Sequence, residues 1–424
     1  MSNALIEELK ARGLLAQVSD EAGLAEHLDE GSRTVYCGFD PTADSLHIGN
    51  LVPLLALRRF QDAGHKPILL VGGATGLIGD PSGRSDERSL NDGDVVAQWV
   101  DRIRDQASGM LDFTGNNPAV VVNNLDWTRD LDVISFLRDV GKYFSVNSMI
   151  QRDSVRSRLE RDGEGISYTE FSYMLLQAMD YCELAGRFGC SVQLGGSDQW
   201  GNIVSGMDLV RRRLSQEAYA MTVPLVTKSD GTKFGKTAAG AVWLDAGKTS
   251  PYSFYQFWLN CADADVEHFL KVFTFLELPT IAGLMAELAE SPHLRGAQRA
   301  LATEVTRLVH GQQALDSAER ITAALFAGEL DALTEQDLEQ LKLDGMDATE
   351  VAPGEGLLAV LAEAGLAPSR GQARKLVASN GVRINGEVCS DAEAQLDFAD
   401  ALYGRFYLLR RGKKNWHLLV KNSA

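Results

Sequence analysis

Short apolar runs alternate with helical patterns through the first half of this 424-residue chain, and this rhythm constrains the fold more than any other feature. The runs are residues 34–39, 67–73, 119–123, 190–194 and 220–226. Strands separated by helix-length segments are typical of an α/β fold with a parallel sheet. Because such sheets bind ligands beyond the carboxyl ends of their strands, we expect the polar residues that follow these runs to converge on one crevice.

Two stretches of the sequence carry residues suited to a nucleotide. Residues 36–50 are typical of a strand, a turn and a helix that begins near His47, and a helix N-terminus favours an anion because its N–H groups are unpaired. The second stretch places Lys233 and Lys236 three residues apart in a loop, so two ammonium groups can converge on one polyphosphate. Either stretch alone is more often an ordinary helix cap or a solvated turn, whereas the pair indicates a nucleotide site.

The sequence does not match either of two common nucleotide-binding motifs. A P-loop at the lysine loop requires a second glycine five residues before Gly235, where the sequence has Asp230. Gly73, Gly76 and Gly79 are evenly spaced, unlike the glycines of dinucleotide-binding proteins. The sequence therefore disfavours a P-loop enzyme and a dehydrogenase.

A polar stripe lies on one predicted helix. Tyr173, Gln177 and Asp180 are spaced four and three residues apart, so they share a face of a helix over 168–184 that is otherwise mostly apolar. The stripe either faces solvent or faces the crevice. In the second case its buried groups require a partner, because an unsatisfied buried polar group costs ~1–3 kcal/mol, and a small polar ligand would supply one.

The second half of the chain has a different organisation. Helical periodicity dominates from about residue 250 to 333, and a proline and two glycines near 353–356 predict a linker. Beyond it, residues 382–388 carry a hairpin signal, and residues 401–424 contain six basic residues, interleaved aromatics and no acidic residue. Although the whole chain carries a net charge of −17, this local basicity is consistent with a nucleic-acid partner or with a solvated tail.

Composition bounds the class of protein. With 45% hydrophobic and 23% charged residues, the chain is typical of a globular protein and long enough for two or three domains. No apolar run approaches the roughly 20 residues of a membrane helix and no secretory signal is present, so we expect a cytoplasmic location. The five cysteines lack Cys-x-x-Cys spacing, so neither disulfides nor a protein-bound metal are predicted.

Three segments resemble the bacterial tyrosyl-tRNA synthetases of class I: residues 36–42 (YCGFDPT), 195–202 (GGSDQWGN) and 230–237 (DGTKFGKT). The resemblance extends over nearly the whole chain. It implies an enzyme that activates L-tyrosine with ATP, accompanied by Mg²⁺, and then esterifies tyrosine to the 3′-terminal adenosine of tRNA-Tyr. The tyrosine carboxylate is ionised near neutral pH and attacks the α-phosphorus directly, so catalysis would rest on positioning and charge stabilisation.

The resemblance also implies a domain order. A Rossmann-like catalytic domain would cover residues 1–248, with an insertion at about 130–165 that builds a homodimer interface. The remaining parts would be an α-helical anticodon-arm domain over 249–345, a linker over 346–356 and a small α+β RNA-binding domain over 357–424.

Residue roles follow from the same resemblance. The departing phosphates would be contacted by Thr42, His47, Lys233 and Lys236, assisted by Arg84 and Arg88. Tyrosine would be bound by Asp80, Tyr173 and Gln177 at its ammonium group, by Gln199 at its carboxylate, and by Tyr36 and Asp180 at its phenolic hydroxyl. Further ATP-binding residues would be Gly38, Asp40, Gly49, Asn50, Gly196, Asp198 and Thr237. RNA would be contacted by Arg370, Arg374, Lys375, Arg410, Arg411, Lys413 and Lys414.

Asn50 is the clearest departure, because the family signature commonly has histidine there, and an asparagine carries no charge. Three other functions stay open. A nucleotidylyltransferase would share the helix start at His47 and a basic loop, but it would not need Tyr36 and Asp180. A non-catalytic RNA-binding descendant would keep the terminal module while losing active-site groups, and a tryptophanyl enzyme is the nearest alternative within the same class.

Overall fold

The computed structural model describes residues 3–82, 92–160, 165–229, 231, 234–237, 240–328, 330–412 and 415–422, without the side chains of residues 153, 154, 157, 236, 237 and 327. The chain divides into two compact units. The first comprises Met1–Lys248 and Trp258–Val309, and the second comprises Thr249–Phe257 and His310–Ala424. Among the described helices, none combines the length and the hydropathy needed to cross a membrane.

The first unit is built from alternating strands and helices. Its strands are β1 (Gln17–Val18), β2 (Thr34–Phe39), β3 (Lys66–Val71), β4 (Val120–Asn123), β5 (Cys190–Gly196), β6 (Tyr219–Val223), β7 (Lys236–Thr237) and β8 (Gly240–Ala241). Its helices are α1 (Ala4–Ala11), α2 (Glu21–Asp29), α3 (Ile48–Asp62), α4 (Thr75–Ile78), α5 (Gly93–Ser108), α6 (Leu125–Thr128), α7 (Val133–Asp139), α8 (Val146–Ile150), α9 (Asp153–Leu159), α10 (Tyr168–Phe188), α11 (Trp200–Leu214), α12 (Pro251–Leu259, shared with the second unit), α13 (Asp263–Phe273) and α14 (Leu278–Glu290).

The strands β2 to β6 form a parallel sheet in the order β1-β6-β5-β2-β3-β4, with β1 antiparallel to β6 at one edge. The five predicted strands and the α/β class are therefore confirmed. The last strand ends at Val223 instead of residue 226, because Pro224 has no N–H for the ladder. After β2, the chain places β3 and β4 on one side of that strand. It then places β5 and β6 on the opposite side. This reversal opens a crevice at the carboxyl ends of β2 and β5.

The helix α10 packs on the sheet beside β2. The ring of Tyr181 on α10 lies 5.2 Å from the ring of Tyr36 on β2, and both side chains are at most 1% exposed. The helix begins where Ser167 caps it and ends at Gly189, whose φ of 62° is readily adopted by glycine. The predicted helix over 168–184 is confirmed, and it is buried against the sheet.

The second unit continues with helices and a small sheet. Its helices are α15 (Gly296–Ala327, which begins in the first unit), α16 (Glu335–Leu343), α17 (Leu357–Glu363) and α18 (Arg370–Ala378). Its strands are β9 (Ala348–Val351), β10 (Glu355–Gly356), β11 (Val382–Ile384), β12 (Glu387–Val388), β13 (Gln395–Leu396), β14 (Phe406–Arg411) and β15 (Asn415–Lys421). The predicted helical region between residues 250 and 333 is confirmed, with a bend at Gly311, where φ is 82°.

The terminal sheet has the order β12-β11-β14-β15-β9. The predicted hairpin is confirmed, and its two turn residues, Asn385 and Gly386, have φ angles of 48° and 87°, as a tight two-residue turn requires. The segment 346–356, predicted as a linker, contains β9, which pairs in parallel with β15. A strand of four residues whose partner lies at the end of the chain leaves little local signal. The domain boundaries remain a prediction.

Candidate active site

The carboxyl ends of the central strands bring together polar residues that are far apart in the sequence. Asp40 follows β2, Thr75 and Asp80 follow β3, Asn124 follows β4, and Gln199 follows β5. This arrangement is the convergence that the strand pattern predicted.

The turn after β3 packs tightly against the loop after β2. A Cβ atom at Gly72 would lie 2.0 Å from Oδ1 of Asp40, and one at Gly76 would lie 2.8 Å from Cγ of Pro41. A larger residue at either position would force the side chain of Asp40 or Pro41 to shift, so glycine is favoured at both. The glycines of this turn serve the close approach of two loops, which agrees with the absence of a dinucleotide-binding pattern.

The helix α3 begins at Ile48 with His47 as its N-cap, which agrees with the start predicted near His47. Nδ1 of His47 accepts a hydrogen bond from the N–H of Gly49 (3.0 Å), and Oδ1 of Asn50 accepts one from the N–H of His47 (3.1 Å). This reciprocal arrangement is a capping box, which stabilises the first helical turn. Asn50, whose role the sequence left open, therefore orders the helix start on which His47 lies.

A short antiparallel ladder joins this helix start to the lysine loop. The N–H of Ile48 donates to the carbonyl oxygen of Val242 (3.0 Å), and the N–H of Val242 donates to that of Gly235 (3.1 Å). His47 forms a β-bridge with Trp243, and their rings meet edge to face with centroids 6.3 Å apart. The two stretches that the sequence paired are thus adjacent in space.

Several predicted phosphate-binding side chains lie outside the described residues, namely those of Arg84, Arg88, Lys233, Lys236 and Thr237. Lys236 and Thr237 are described by their backbone, which forms β7 and pairs with β8. Thr42 is exposed, and its N–H donates to the carbonyl oxygen of Asp40 (2.9 Å). The roles of these side chains stay predictions.

A chain of hydrogen bonds connects β2 with α10. The hydroxyl groups of Tyr173 and Thr75 each donate to Asp40, at 2.6 Å in both cases. Nδ2 of Asn124 donates to Oγ1 of Thr75 (2.9 Å) and to Oδ2 of Asp180 (2.9 Å). Tyr173 and Asp180 are buried. The alternative that the polar stripe of α10 faces solvent is therefore wrong.

Asp180 is held from two sides, and its charge acts on the buried hydroxyl of Tyr36. Nε1 of Trp127 donates to Oδ1 of Asp180 (2.9 Å), while Asn124 occupies Oδ2. Burial raises the pKa of Asp180 to about 7, against the opposing effect of these two hydrogen bonds. The buried hydroxyl of Tyr36 has no hydrogen-bond partner among the described residues, and burial followed by the charge of Asp180 raises its pKa well above the usual value. A ligand hydroxyl would satisfy this pair.

A second acidic group, Asp80, follows β3 and is hydrogen-bonded. Nε2 of Gln199 donates to Oδ2 of Asp80 (2.6 Å), and the N–H of Ser82 donates to Oδ1 (3.0 Å). Burial raises the pKa of Tyr173, and the charges of Asp40, Asp80 and Asp180 all act on it in the same direction. The negative charges of Asp40 and Asp80 that act on Tyr173 favour a bound cation near its hydroxyl.

Comparison with known proteins decides the family. Residues 28–327 match the family described as tRNA synthetases class I (W and Y), and residues 337–419 match the Tyrosine–tRNA ligase SYY-like C-terminal domain. The Tyrosine–tRNA ligase of Escherichia fergusonii is 57% identical over 419 residues, covering 99% of both chains. This chain belongs to the class I tyrosyl-tRNA synthetases. The predicted family and the predicted class of enzyme, a tyrosine–tRNA ligase, are confirmed.

Solved structures agree with this assignment. A C-terminally truncated mitochondrial tyrosyl-tRNA synthetase of Aspergillus nidulans has a TM-score of 0.69 and 33% identity, covering 76% of this chain and 94% of its own. A tryptophanyl-tRNA synthetase of Encephalitozoon cuniculi has a TM-score of 0.53 and 12% identity, covering 78% of this chain and 89% of its own. The tryptophanyl alternative thus shares the fold.

The synthetase has two site residues that sequence reasoning missed, Asn124 and Trp127. Asn124 directly follows the predicted strand 119–123, so its place at a carboxyl strand end was an available signal. Trp127 had no comparable signal, because its position depends on the four-residue helix α6.

The predicted RNA-contacting residues within the described part are Arg370, Arg374, Lys375, Arg410 and Arg411, while Lys413 and Lys414 lie outside it. The first three are exposed on α18, where Arg374 pairs with Glu393 (2.7 Å). The guanidinium group of Arg410 lies 5.0 Å from the ring centre of Trp416 on the neighbouring strand. The second unit therefore presents cationic side chains on a helix, α18, and on a strand, β14.

Proposed function

We propose that this synthetase activates L-tyrosine with ATP to form tyrosyl-adenylate and pyrophosphate, and then transfers tyrosine to the 3′-terminal adenosine of tRNA-Tyr. The observation that carries the choice of amino acid is the buried pair of Tyr36 and Asp180. One hydroxyl without a partner and one fixed carboxylate match a phenolic hydroxyl, which can donate one hydrogen bond and accept another.

Tyr36 and Asp180 would select tyrosine over phenylalanine and tryptophan, because only a phenolic hydroxyl can both accept from Tyr36 and donate to Asp180. Phenylalanine would leave the Tyr36 hydroxyl buried without a hydrogen-bond partner and would donate nothing to Asp180, so the site would reject it by the cost of that buried hydroxyl and of the missing hydrogen bond. Tyrosyl-tRNA synthetases are themselves the reference case for this general rule. A tryptophan indole carries an N–H donor but no acceptor, so it would leave the Tyr36 hydroxyl without a group to which it can donate.

The other end of tyrosine would lie near the second acidic group. Asp80, Tyr173 and Gln177 would bind its ammonium group, and Gln199 would orient its carboxylate. Support comes from the negative potential around Tyr173 and from the buried Oε1 of Gln177, which has no hydrogen-bond partner among the described residues. The carboxylate needs no general base, so these contacts would act by positioning it for attack on the α-phosphorus.

ATP would lie along the start of α3. Thr42 and His47 would contact the departing phosphates, Lys233 and Lys236 would hold pyrophosphate with help from Arg84 and Arg88, and Gly196 and Asp198 would contact the ribose. Gly38, Asp40, Gly49, Asn50 and Thr237 complete the proposed ATP site. Mg²⁺ would enter with ATP as an ion on its phosphates. The ladder between Ile48, Val242 and Gly235 supports this arrangement, because it keeps the helix start and the lysine loop together.

The chain beyond residue 248 would serve tRNA. We infer that residues 249–345 form the anticodon-arm domain and that residues 357–424 form the RNA-binding domain, connected through 346–356. The exposed cations of α18 support RNA binding by the terminal domain. A cytoplasmic location is part of the same proposal.

Amino-acid-dependent exchange of labelled pyrophosphate into ATP tests the proposed function. With Mg²⁺ present, we expect exchange with tyrosine and less than about 1% of that rate with phenylalanine or tryptophan, and then charging of tRNA-Tyr. Exchange with tryptophan instead would move the assignment to the tryptophanyl enzymes. Folded protein that binds RNA without exchange on any of the three would support the non-catalytic alternative.

We also propose that the chain forms a homodimer through the segment 130–165. This segment exposes an unusual number of apolar side chains on α7, α8 and α9, namely Val133, Ile134, Leu137, Val146, Ile150 and Leu159. Exposed apolar side chains gathered in one segment are typical of an interface.

Sedimentation velocity tests the dimer. Ile134→Asp places a charge in the proposed interface, so we expect the variant to sediment as a monomer at micromolar concentration while the unmodified chain sediments as a dimer. Leu343→Asp, at a position 80% exposed on α16, should leave the mass unchanged. A monomeric unmodified chain would contradict the proposal.

A further inference from the structure

The residue between the two loop lysines is buried. Phe234 is 8% exposed, and its ring centroid lies 4.6 Å from that of Phe269, 5.2 Å from that of Phe273 and 5.5 Å from that of Trp258. These three rings, at most 2% exposed, are here called the aromatic pocket. A lysine loop that served only as a solvated turn would not place an aromatic ring in such a pocket.

The next residue is fixed against the start of α3. Gly235 has a φ of 90°, and a Cβ atom there would lie 3.1 Å from Cγ1 of Ile48. Its carbonyl oxygen accepts from the N–H of Val242, whose own carbonyl oxygen accepts from the N–H of Ile48. Phe234 and Gly235 therefore attach the loop at two points, one in the aromatic pocket and one at the helix that carries His47.

The aromatic pocket is itself tied to α3. Arg59 on α3 donates through Nη2 to the carbonyl oxygen of Thr274 (2.6 Å), which directly follows α13, and its guanidinium group lies 4.3 Å from the ring centre of Phe275. Arg12 donates through Nη2 to the carbonyl oxygen of Leu276 (2.9 Å). Since α13 supplies Phe269 and Phe273, the pocket is held in place relative to the proposed phosphate site.

We propose that Phe234 is a positioning residue for ATP binding. Its buried ring keeps the backbone of the lysine loop in place beside the start of α3. This inference rests on the proposed role of Lys233 and Lys236 as pyrophosphate ligands. A lysine side chain has a long flexible stem, so two of them converge on one polyphosphate only if the backbone between them is fixed. The buried ring of Phe234 supplies that fixed point. It would not contact the phosphates itself but would act through Lys233 and Lys236.

Steady-state pyrophosphate exchange with the full-length protein tests the proposal. We expect Phe234→Ala to lower kcat/KM for ATP roughly 30-fold while KM for tyrosine changes less than about 3-fold, because only the loop loses its register. Phe234→Leu keeps an apolar anchor and should recover most of the loss. The control is Phe60→Ala, a fully buried ring on α3 away from the loop, which should lower thermal stability without a selective effect on ATP. If Phe234→Ala does not fold, Phe234→Leu and Phe234→Val replace it, with the larger ATP defect expected for valine.

A double-mutant cycle separates this inference from the function on which it rests. In a chain that already carries Lys233→Ala and Lys236→Ala, Phe234→Ala should have less than about 3-fold further effect on ATP. Unchanged ATP kinetics in the lysine variants would refute the phosphate role itself. If the lysine variants lose ATP activity but Phe234→Ala has no effect on ATP, only the positioning role is refuted. The same holds if Phe234→Ala has an equally large effect in the chain without the two lysines.

Discussion

Replacing Asp180 with asparagine is expected to lower kcat/KM for tyrosine in pyrophosphate exchange about 100-fold. The carboxylate accepts hydrogen bonds from Asn124 and Trp127, and we propose that it also accepts one from the tyrosine hydroxyl. An asparagine would turn an N–H group toward one of these donors and would lose the charge. Hydrogen bonds to charged groups are worth ~1.5–3 kcal/mol, and each ~1.4 kcal/mol corresponds to a tenfold change.

The same variant should leave KM for ATP within about 3-fold of its original value, because Asp180 lies at the amino-acid end of the proposed site. Glu183→Gln is the matched control, since Glu183 lies one turn further along α10 and pairs with Arg187 at the surface (3.0 Å). We expect Glu183→Gln to leave kcat/KM for tyrosine in pyrophosphate exchange nearly unchanged. Equal losses for tyrosine and ATP in Asp180→Asn would contradict the assignment of Asp180 to the phenolic hydroxyl.

Replacing Arg158 with alanine is expected to lower the free energy of unfolding by about 3–5 kcal/mol. Nη2 of Arg158 on α9 lies 3.0 Å from the carboxylate of Glu170 on α10, and the two side chains are 6% and 1% exposed. Arg158 also donates to the carbonyl oxygen of Gly165. Without the guanidinium group, Glu170 would remain as a buried carboxylate without this countercharge. Urea denaturation followed by circular dichroism measures the loss.

Two further variants make this test specific. Arg156→Ala, two residues earlier, removes a guanidinium group that is 3.9 Å from Glu160 with side chains 55% and 69% exposed, and should cost less than ~0.5 kcal/mol. The pair Arg158→Met and Glu170→Leu removes both charges together and should recover most of the stability. Equal losses for Arg156→Ala and Arg158→Ala would show that the buried pair has no special weight.

Much of the catalytic unit could be predicted from local patterns. The strand β2 has the bounds predicted for it, and α3 begins directly after its N-cap His47, because apolar runs and capping residues act over a few neighbouring residues. The hairpin of β11 and β12 was predicted for the same reason, since Asn385 and Gly386 favour the left-handed backbone of its turn. The spacing of Tyr173, Gln177 and Asp180 defined a helix face but left open whether that face was buried.

The amino-acid sequence was enough to predict the α/β class, the start of the nucleotide helix and the family, because each depends on short motifs or on periodicity along the chain. Contacts between distant residues were visible only in the folded chain: Asn124 and Trp127 contact Asp180, Phe234 lies in the aromatic pocket, and β9 pairs with β15. These partners are separated by tens of residues, so their contact depends on how helices and strands pack. Packing is a property of the whole fold, and no local pattern encodes it.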